Sequence, residues 1–149
     1  AAGRDDIPAL VLLSAHQGGR GMVPFASGNG LLAQDRLPEV SKAARDAVAE
    51  GRGGELMLLP GWWYAITAES LVDNLDRLPV TMDLAPGMTC PVLFVAGDRE
   101  PPEMYPAKAF ANAATGPGTY RIIPDCDHFY TGRFEEVIAE VTGWLADVL

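Results

Sequence analysis

Three short apolar runs occur in the chain, at residues 9–15, 91–96 and 119–123, and none of them alternates with polar residues. Runs of this length and kind are typical of strands that are buried on both faces, as in a parallel sheet. Arg121 interrupts the third run. The pattern therefore predicts three parallel strands, of which the last lies at an edge of the sheet.

Between and after these runs, apolar residues recur at helical spacing. The predicted helices are one that follows Pro38 and ends at Gly51, one marked by Ile66, Leu71, Val72 and Leu75 with Thr67 as its N-cap, one from Pro106 to about Ala114, and one over residues 134–149. The last has the most continuous apolar stripe, so we expect it to pack on the sheet. Strands and helices that alternate in this way predict an α/β fold with right-handed crossovers.

The segment between the first two strands is longer than one crossover connection needs. Seventy-five positions separate Ala15 from Cys90, and they include the aromatic cluster Trp62-Trp63-Tyr64. We interpret residues 20–86 as a helical cap inserted over the carboxyl ends of the strands. Residues 1–19 and 87–149 then form the core.

The composition excludes several classes of protein. The chain has 149 residues, which suits one domain or half of a larger one. Eleven basic residues against twenty acidic ones give a net charge of −9, which would repel a nucleic acid. No apolar run approaches the roughly 20 residues of a membrane-spanning helix, and the acidic start is unlike a signal peptide. We therefore expect a cytoplasmic protein that binds neither nucleic acid nor membrane.

Polar residues that can do chemistry follow each predicted strand, where an open parallel sheet binds its ligands. His16 follows the first strand, Asp98 the second and His128 the third. Asp98 and His128 are 30 positions apart, which is one strand–helix–strand unit. We expect the Asp98 carboxylate to orient the His128 ring so that its other nitrogen acts as a base, with Glu100 as the substitute for Asp98.

Residues 91–98, followed by Asp127-His128-Phe129-Tyr130, resemble the final third of the α/β-hydrolase fold. The resemblance covers essentially the whole chain and implies that Asp98 is the acid and His128 the base of a catalytic triad. It implies hydrolysis of an ester, thioester or related acyl bond through a serine acyl-enzyme, with no cofactor.

One part of that pattern is absent, because no Gly-x-Ser-x-Gly elbow surrounds any serine of the chain. The resemblance places the elbow before residue 9, so we expect the nucleophile on a segment upstream of residue 1. The chain then corresponds to the C-terminal part of a partial α/β-hydrolase fold and is inactive alone. The missing N-terminal half, or a second copy of the chain, should cover the open sheet edge.

Several residues are candidates for contact with a small-molecule acyl substrate: His16, Trp62, Trp63, Tyr64 and Phe129. Packing of the cap explains the aromatic cluster equally well. Two other functions stay open, a non-catalytic binding module and a lyase or C–C bond hydrolase on the same fold.

Cysteine and metal chemistry are not expected. Cys90 enters one strand and Cys126 leaves the next, so about 20 Å of strand separates them and they should be free thiols. One histidine among loop carboxylates has no recognised ligand spacing, so no metal site is predicted.

Overall fold

The computed structural model describes residues 2–61 and 64–149. These residues form two compact units. The first unit combines the segment up to Gln17 with Val80–Leu149, and the second is Gly18–Pro79. The boundaries differ from the expected ones, because residues 80–86 belong to the first unit and residues 18 and 19 to the second.

The structure contains five strands and six α-helices among the described residues. In chain order they are β1 (Leu10–Leu13), α1 (Met22–Gly28), α2 (Leu37–Ala49), β2 (Leu56–Leu59), β3 (Tyr64–Thr67), α3 (Ala68–Asp76), α4 (Thr81–Leu84), β4 (Val92–Gly97), α5 (Ala107–Ala113), β5 (Gly118–Ile123) and α6 (Phe134–Val148). Short 3-10 turns occupy Gln34–Arg36 and Ala85–Gly87.

The first unit contains a parallel three-stranded sheet in the order β1-β4-β5. All six residues of β4 are buried, which accounts for its unbroken apolar sequence. The register places Phe94 beside Leu12 on one side and Tyr120 on the other. The three predicted strands and the edge position of the last are therefore confirmed, and the fold is mixed α/β.

Helices cover both faces of this sheet. On one face, Phe94 of β4 meets Phe110 of α5 in an edge-to-face pair with ring centroids 5.7 Å apart. On the other face, Val95 packs in a cluster with Val137 and Trp144 of α6. The expected packing of the last helix on the sheet is confirmed. Part of its apolar stripe nevertheless faces solvent, because Phe134 is 60% exposed.

The second unit has its own core, formed by α2, α3 and an antiparallel hairpin of β2 and β3. The hairpin was not predicted, and Ile66, expected in a helix, lies instead on β3 opposite Met57. Ile66 is buried in this core, so tertiary packing decides its conformation. Thr67 is the N-cap of α3 as predicted, since its side chain accepts a hydrogen bond from the Ser70 amide at 3.2 Å.

Two further observations concern the expected absences. Cys90 and Cys126 are both buried and free, which confirms that they form no disulfide. Over residues 2–61 and 64–149, the structure contains no helix with the length and apolarity to cross a membrane.

Candidate active site

The carboxyl ends of the three parallel strands bring one acidic, one imidazole and two hydroxyl side chains together. Ser14 follows β1, Glu100 follows β4, and His128 and Tyr130 follow β5. Parallel strands end at the same edge of a sheet, so residues far apart in sequence meet there. The site therefore depends on the pairing of all three strands.

Glu100 and His128 form the central pair. The Glu100 Oε1 atom lies 2.7 Å from Nδ1 of His128. The Glu100 side chain is only 2% exposed, whereas that of His128 is 44% exposed. A buried carboxylate must be satisfied by hydrogen bonds, and here Oε2 accepts two more, from the Gly97 amide and from Ser14 Oγ, each at 2.7 Å. The pair thus combines an anchored carboxylate with a ring that is open to solvent on its other side.

Asp98 does not orient the histidine, which corrects the prediction. Among the described residues, the His128 ring pairs with Glu100, and Asp98 Oδ1 instead accepts a hydrogen bond from the Cys126 amide at 3.0 Å. Backbone donors of Cys126 and Asp125 hold the pKa of Asp98 below its ordinary value. Asp98 therefore ties the end of β4 to the loop that carries His128.

A tight turn after Gly97 explains why Glu100, and not Asp98, bonds to His128. The Glu100 amide donates to the Gly97 carbonyl at 3.2 Å, and the Glu100 carboxylate accepts from the Gly97 amide. The chain folds back on itself, so Glu100 lies over the strand end while Asp98 faces outward. In the sequence, the one sign of this turn was that Glu100 is the third residue after Gly97.

The loop after β5 is held against β4 by a close backbone approach. A Cβ atom on Gly97 would lie 2.3 Å from the Cys126 carbonyl oxygen, so only glycine fits there. Within the loop, Asp127 Oδ1 accepts from the amides of Phe129 and Thr131, both at 3.0 Å. These bonds lower the pKa of Asp127 and set the path of the chain through His128.

Two aromatic rings flank His128. The Tyr105 ring centroid lies 5.0 Å from that of His128, and the Phe129 centroid lies at 5.3 Å in a T-shaped arrangement. Phe129, a predicted substrate residue, is thus in contact with the catalytic candidate. Tyr105 was not singled out from the sequence, because a lone aromatic in a Pro-rich loop resembles a packing residue.

The other predicted substrate residues are placed differently. The pKa of His16 is lowered mainly because the ring is partly buried. The positive charge of His128 lowers it further, so the two rings are close enough to interact. Tyr64 lies on β3 in the second unit and is 43% exposed. Trp62 and Trp63 lie outside the described residues.

A cavity of about 550 Å³ opens between α5 and the ends of β4 and β5. Tyr105, Asn112 and Tyr120 are among its lining residues. This volume accommodates a small organic molecule. Because Tyr105 contacts both the cavity and the His128 ring, the two are structurally linked.

No nucleophile faces His128 among the described contacts. Ser14 is buried, and its Oγ donates to Glu100. Ser27 donates to the Gln34 carbonyl, and Ser70 belongs to the cap of α3. In the part of the chain that the structure describes, no three His, Cys, Asp or Glu residues cluster in a way that could hold a metal ion.

Comparison with known proteins identified no relative of this chain. No family model, no curated protein and no solved structure matches the chain.

Proposed function

We propose that the chain is the acid–histidine part of a serine hydrolase of the α/β-hydrolase type, acting on an ester, thioester or related acyl bond. The observation that carries this proposal is the buried Glu100 carboxylate bonded at 2.7 Å to Nδ1 of the half-exposed His128. A carboxylate on one imidazole nitrogen holds the ring so that the other nitrogen can accept a proton.

In the proposed reaction, Nε2 of His128 takes the proton of a serine hydroxyl as that oxygen attacks the acyl carbon. The resulting imidazolium is stabilised by Glu100 and returns its proton to the departing alkoxide or thiolate. His128 then takes a proton from water as that water attacks the acyl carbon, and it returns the proton to the serine oxygen as the acyl–serine bond breaks and the acid leaves. Every step uses protons already present, so no cofactor is required.

The nucleophile in this proposal comes from a segment upstream of residue 1. The free edge of β1 supports this, since β1 pairs only with β4 among the described residues and Leu13 is 49% exposed. A further strand beside β1 would end at the same edge as Ser14 and bring its following residue toward His128. The alternative cover for this edge is a second copy of the chain.

The second unit, Gly18–Pro79, corresponds to most of the segment that the sequence predicts to be inserted in the core. His16 and Phe129, both in the first unit, would contribute to substrate binding. The proposal takes the substrate to be a small acyl molecule and the protein to act in the cytoplasm.

A fluorophosphonate probe tests the proposal. The natural gene product, with whatever precedes residue 1, should be labelled on a serine, while the 149-residue chain alone should not. In the gene product, H128A should slow labelling by roughly a hundredfold or more. E100Q should slow it substantially, and the matched control D98N, whose amide oxygen still accepts from Cys126, should change it by no more than about twofold.

Two outcomes contradict the proposal. Absence of labelling in both proteins would favour a non-catalytic binding module. Labelling that H128A leaves unchanged would remove His128 from the mechanism. If labelling follows the proposal, a panel of acyl and C–C substrates divides an esterase from a C–C bond hydrolase.

A further inference from the structure

We infer that Ser14 and Tyr130 are positioning residues. Their hydroxyl groups form a hydrogen-bond relay, from Tyr130 to Ser14 to Glu100, that holds His128 in the tautomer with hydrogen on Nδ1. This inference deepens the proposed function, and its use in catalysis rests on that function. The tautomer itself can be measured whether or not the protein is a hydrolase.

The relay joins all three strand ends. Ser14 Oγ lies 2.7 Å from Glu100 Oε2 and 2.5 Å from the hydroxyl oxygen of Tyr130. Ser14 is 7% exposed and Tyr130 is 9% exposed. The two hydroxyls are therefore shielded from water, and their protons are directed by each other and by Glu100.

Proton counting gives the direction of the relay. An ionised carboxylate only accepts, so the single hydroxyl proton of Ser14 goes to Glu100. Ser14 then has no proton left for Tyr130, so the Tyr130 hydroxyl donates to Ser14. The other neighbour of that hydroxyl, the Val95 carbonyl at 3.4 Å, is also an acceptor.

The direction of the relay determines the state of His128. Glu100 Oε2 accepts hydrogen bonds from the Ser14 hydroxyl and from the Gly97 amide, and an ionised carboxylate has no hydrogen to donate. Oε1 must then accept from Nδ1 of His128 rather than donate to it. The hydrogen is consequently on Nδ1, and Nε2 keeps the lone pair that a general base needs.

Backbone conformation is an independent sign that these two positions are constrained. Ser14 has φ of 43° and Tyr130 has φ of 54°, both in the left-handed region that side chains other than glycine rarely adopt. Such conformations persist only where the surroundings determine them. The Ser14 amide bonds to the Val95 carbonyl at 2.8 Å, and the Tyr130 amide to the Asp127 carbonyl at 3.1 Å. Both hydroxyl residues of the relay are thus also held through their backbone amides.

A packing role and a nucleophilic role are the other functions that these side chains could have. Ser14 as nucleophile would need its hydroxyl on His128, but the structure directs it to Glu100. A purely packing role for Tyr130 would make its hydroxyl dispensable. The experiment separates these roles from positioning.

The test is nitrogen-15 NMR of the natural gene product, with the His128 ring signals assigned through an H128Q variant. We expect the Nδ1–H form to dominate at a pH where the ring is neutral. S14A should lower the ratio of Nδ1–H to Nε2–H about fivefold and Y130F about twofold, because each removes a donor from the relay. The matched control Y120F removes the hydroxyl of a tyrosine that lies on β5 and outside the relay, and it should leave the ratio unchanged.

An unchanged ratio in both S14A and Y130F would overturn the inference, as would a fluorophosphonate adduct on Ser14. If S14A does not fold, the comparison of Y130F with Y120F decides between positioning and packing. A shifted ratio in a protein that never reacts with the probe would uphold the relay and refute the hydrolase. In an active protein, both variants should lower kcat more than they change KM.

Discussion

At the scale of single residues, the environment of each ionisable group decides its role more than its chemical type does. Asp98 and Glu100 are two positions apart, yet Glu100 is buried against His128 while Asp98 is exposed and bonded to the backbone. The sequence identifies His128 and offers both acids. It does not show which acid the turn at Gly97 folds inward, because that choice depends on contacts with the following loop.

His16 provides a prediction about pH at this scale. Its pKa is below the ordinary value in the folded protein, so between pH 6.5 and that lower pKa the unfolded chain binds a proton that the folded chain does not. The free energy of unfolding should therefore fall as the pH is lowered from 7.5 to 5.5. In H16Q, the part of this decrease in the free energy of unfolding that comes from His16 should be absent.

Urea unfolding of the parent and of H16Q at several pH values between 5.5 and 7.5 measures the effect. Above about pH 7.5 the difference between the two proteins should be constant, because His16 is neutral in both states there. A difference that does not change on lowering the pH would contradict the lowered pKa of His16.

At the scale of elements, close backbone packing at Gly97 joins β4 to the loop that carries His128. G97A would place a methyl group 2.3 Å from the Cys126 carbonyl oxygen, and we expect it to destabilise the fold by about 1–3 kcal/mol. The control is G143A, since Gly143 lies within α6 with open space around it. Alanine there should stabilise the protein by about 0.5–1 kcal/mol.

Thermal and urea unfolding measure both variants, and the His128 NMR signal of G97A shows whether the site moves. G97A as stable as the parent, with His128 unmoved, would contradict the close approach.

Elements with a strong periodic pattern could be predicted, and those that depend on distant contacts could not. The apolar run of β4 and the stripe of α6 required only local sequence. The β2–β3 hairpin was missed because Ile66 fits the helical spacing of the residues after it. The pairing of Ile66 with Met57 of β2 overrides that local preference.

At the scale of the whole molecule, the open edge of β1 is where we propose that the rest of the hydrolase attaches. The amides of Leu10 and Ser14 donate to carbonyls of Pro91 and Val95. Because amides alternate in direction along a strand, those of Val11 and Leu13 point away from β4. Amide exchange at these two positions therefore reports what covers the edge.

In the natural gene product, we expect the Val11 and Leu13 amides to exchange at least about a hundredfold more slowly than in the 149-residue chain. The amides of Leu10 and Ser14 provide the internal comparison, since they are bonded to the neighbouring strand in both proteins. Equal exchange at Val11 and Leu13 in the two proteins would show that no upstream strand pairs there. Protection that rises with concentration of the short chain would indicate a second copy instead.

The shared carboxylate of Glu100 also restricts how this sequence can change over time. An apolar residue in place of Ser14 would leave the Tyr130 hydroxyl only the Val95 carbonyl at 3.4 Å as an acceptor, and it would remove one of the two donors to Glu100 Oε2. We therefore expect Ser14, Glu100 and Tyr130 to be substituted together among descendants of this chain. The exposed Asp98 can be replaced independently by any residue whose side chain accepts a hydrogen bond from the Cys126 amide.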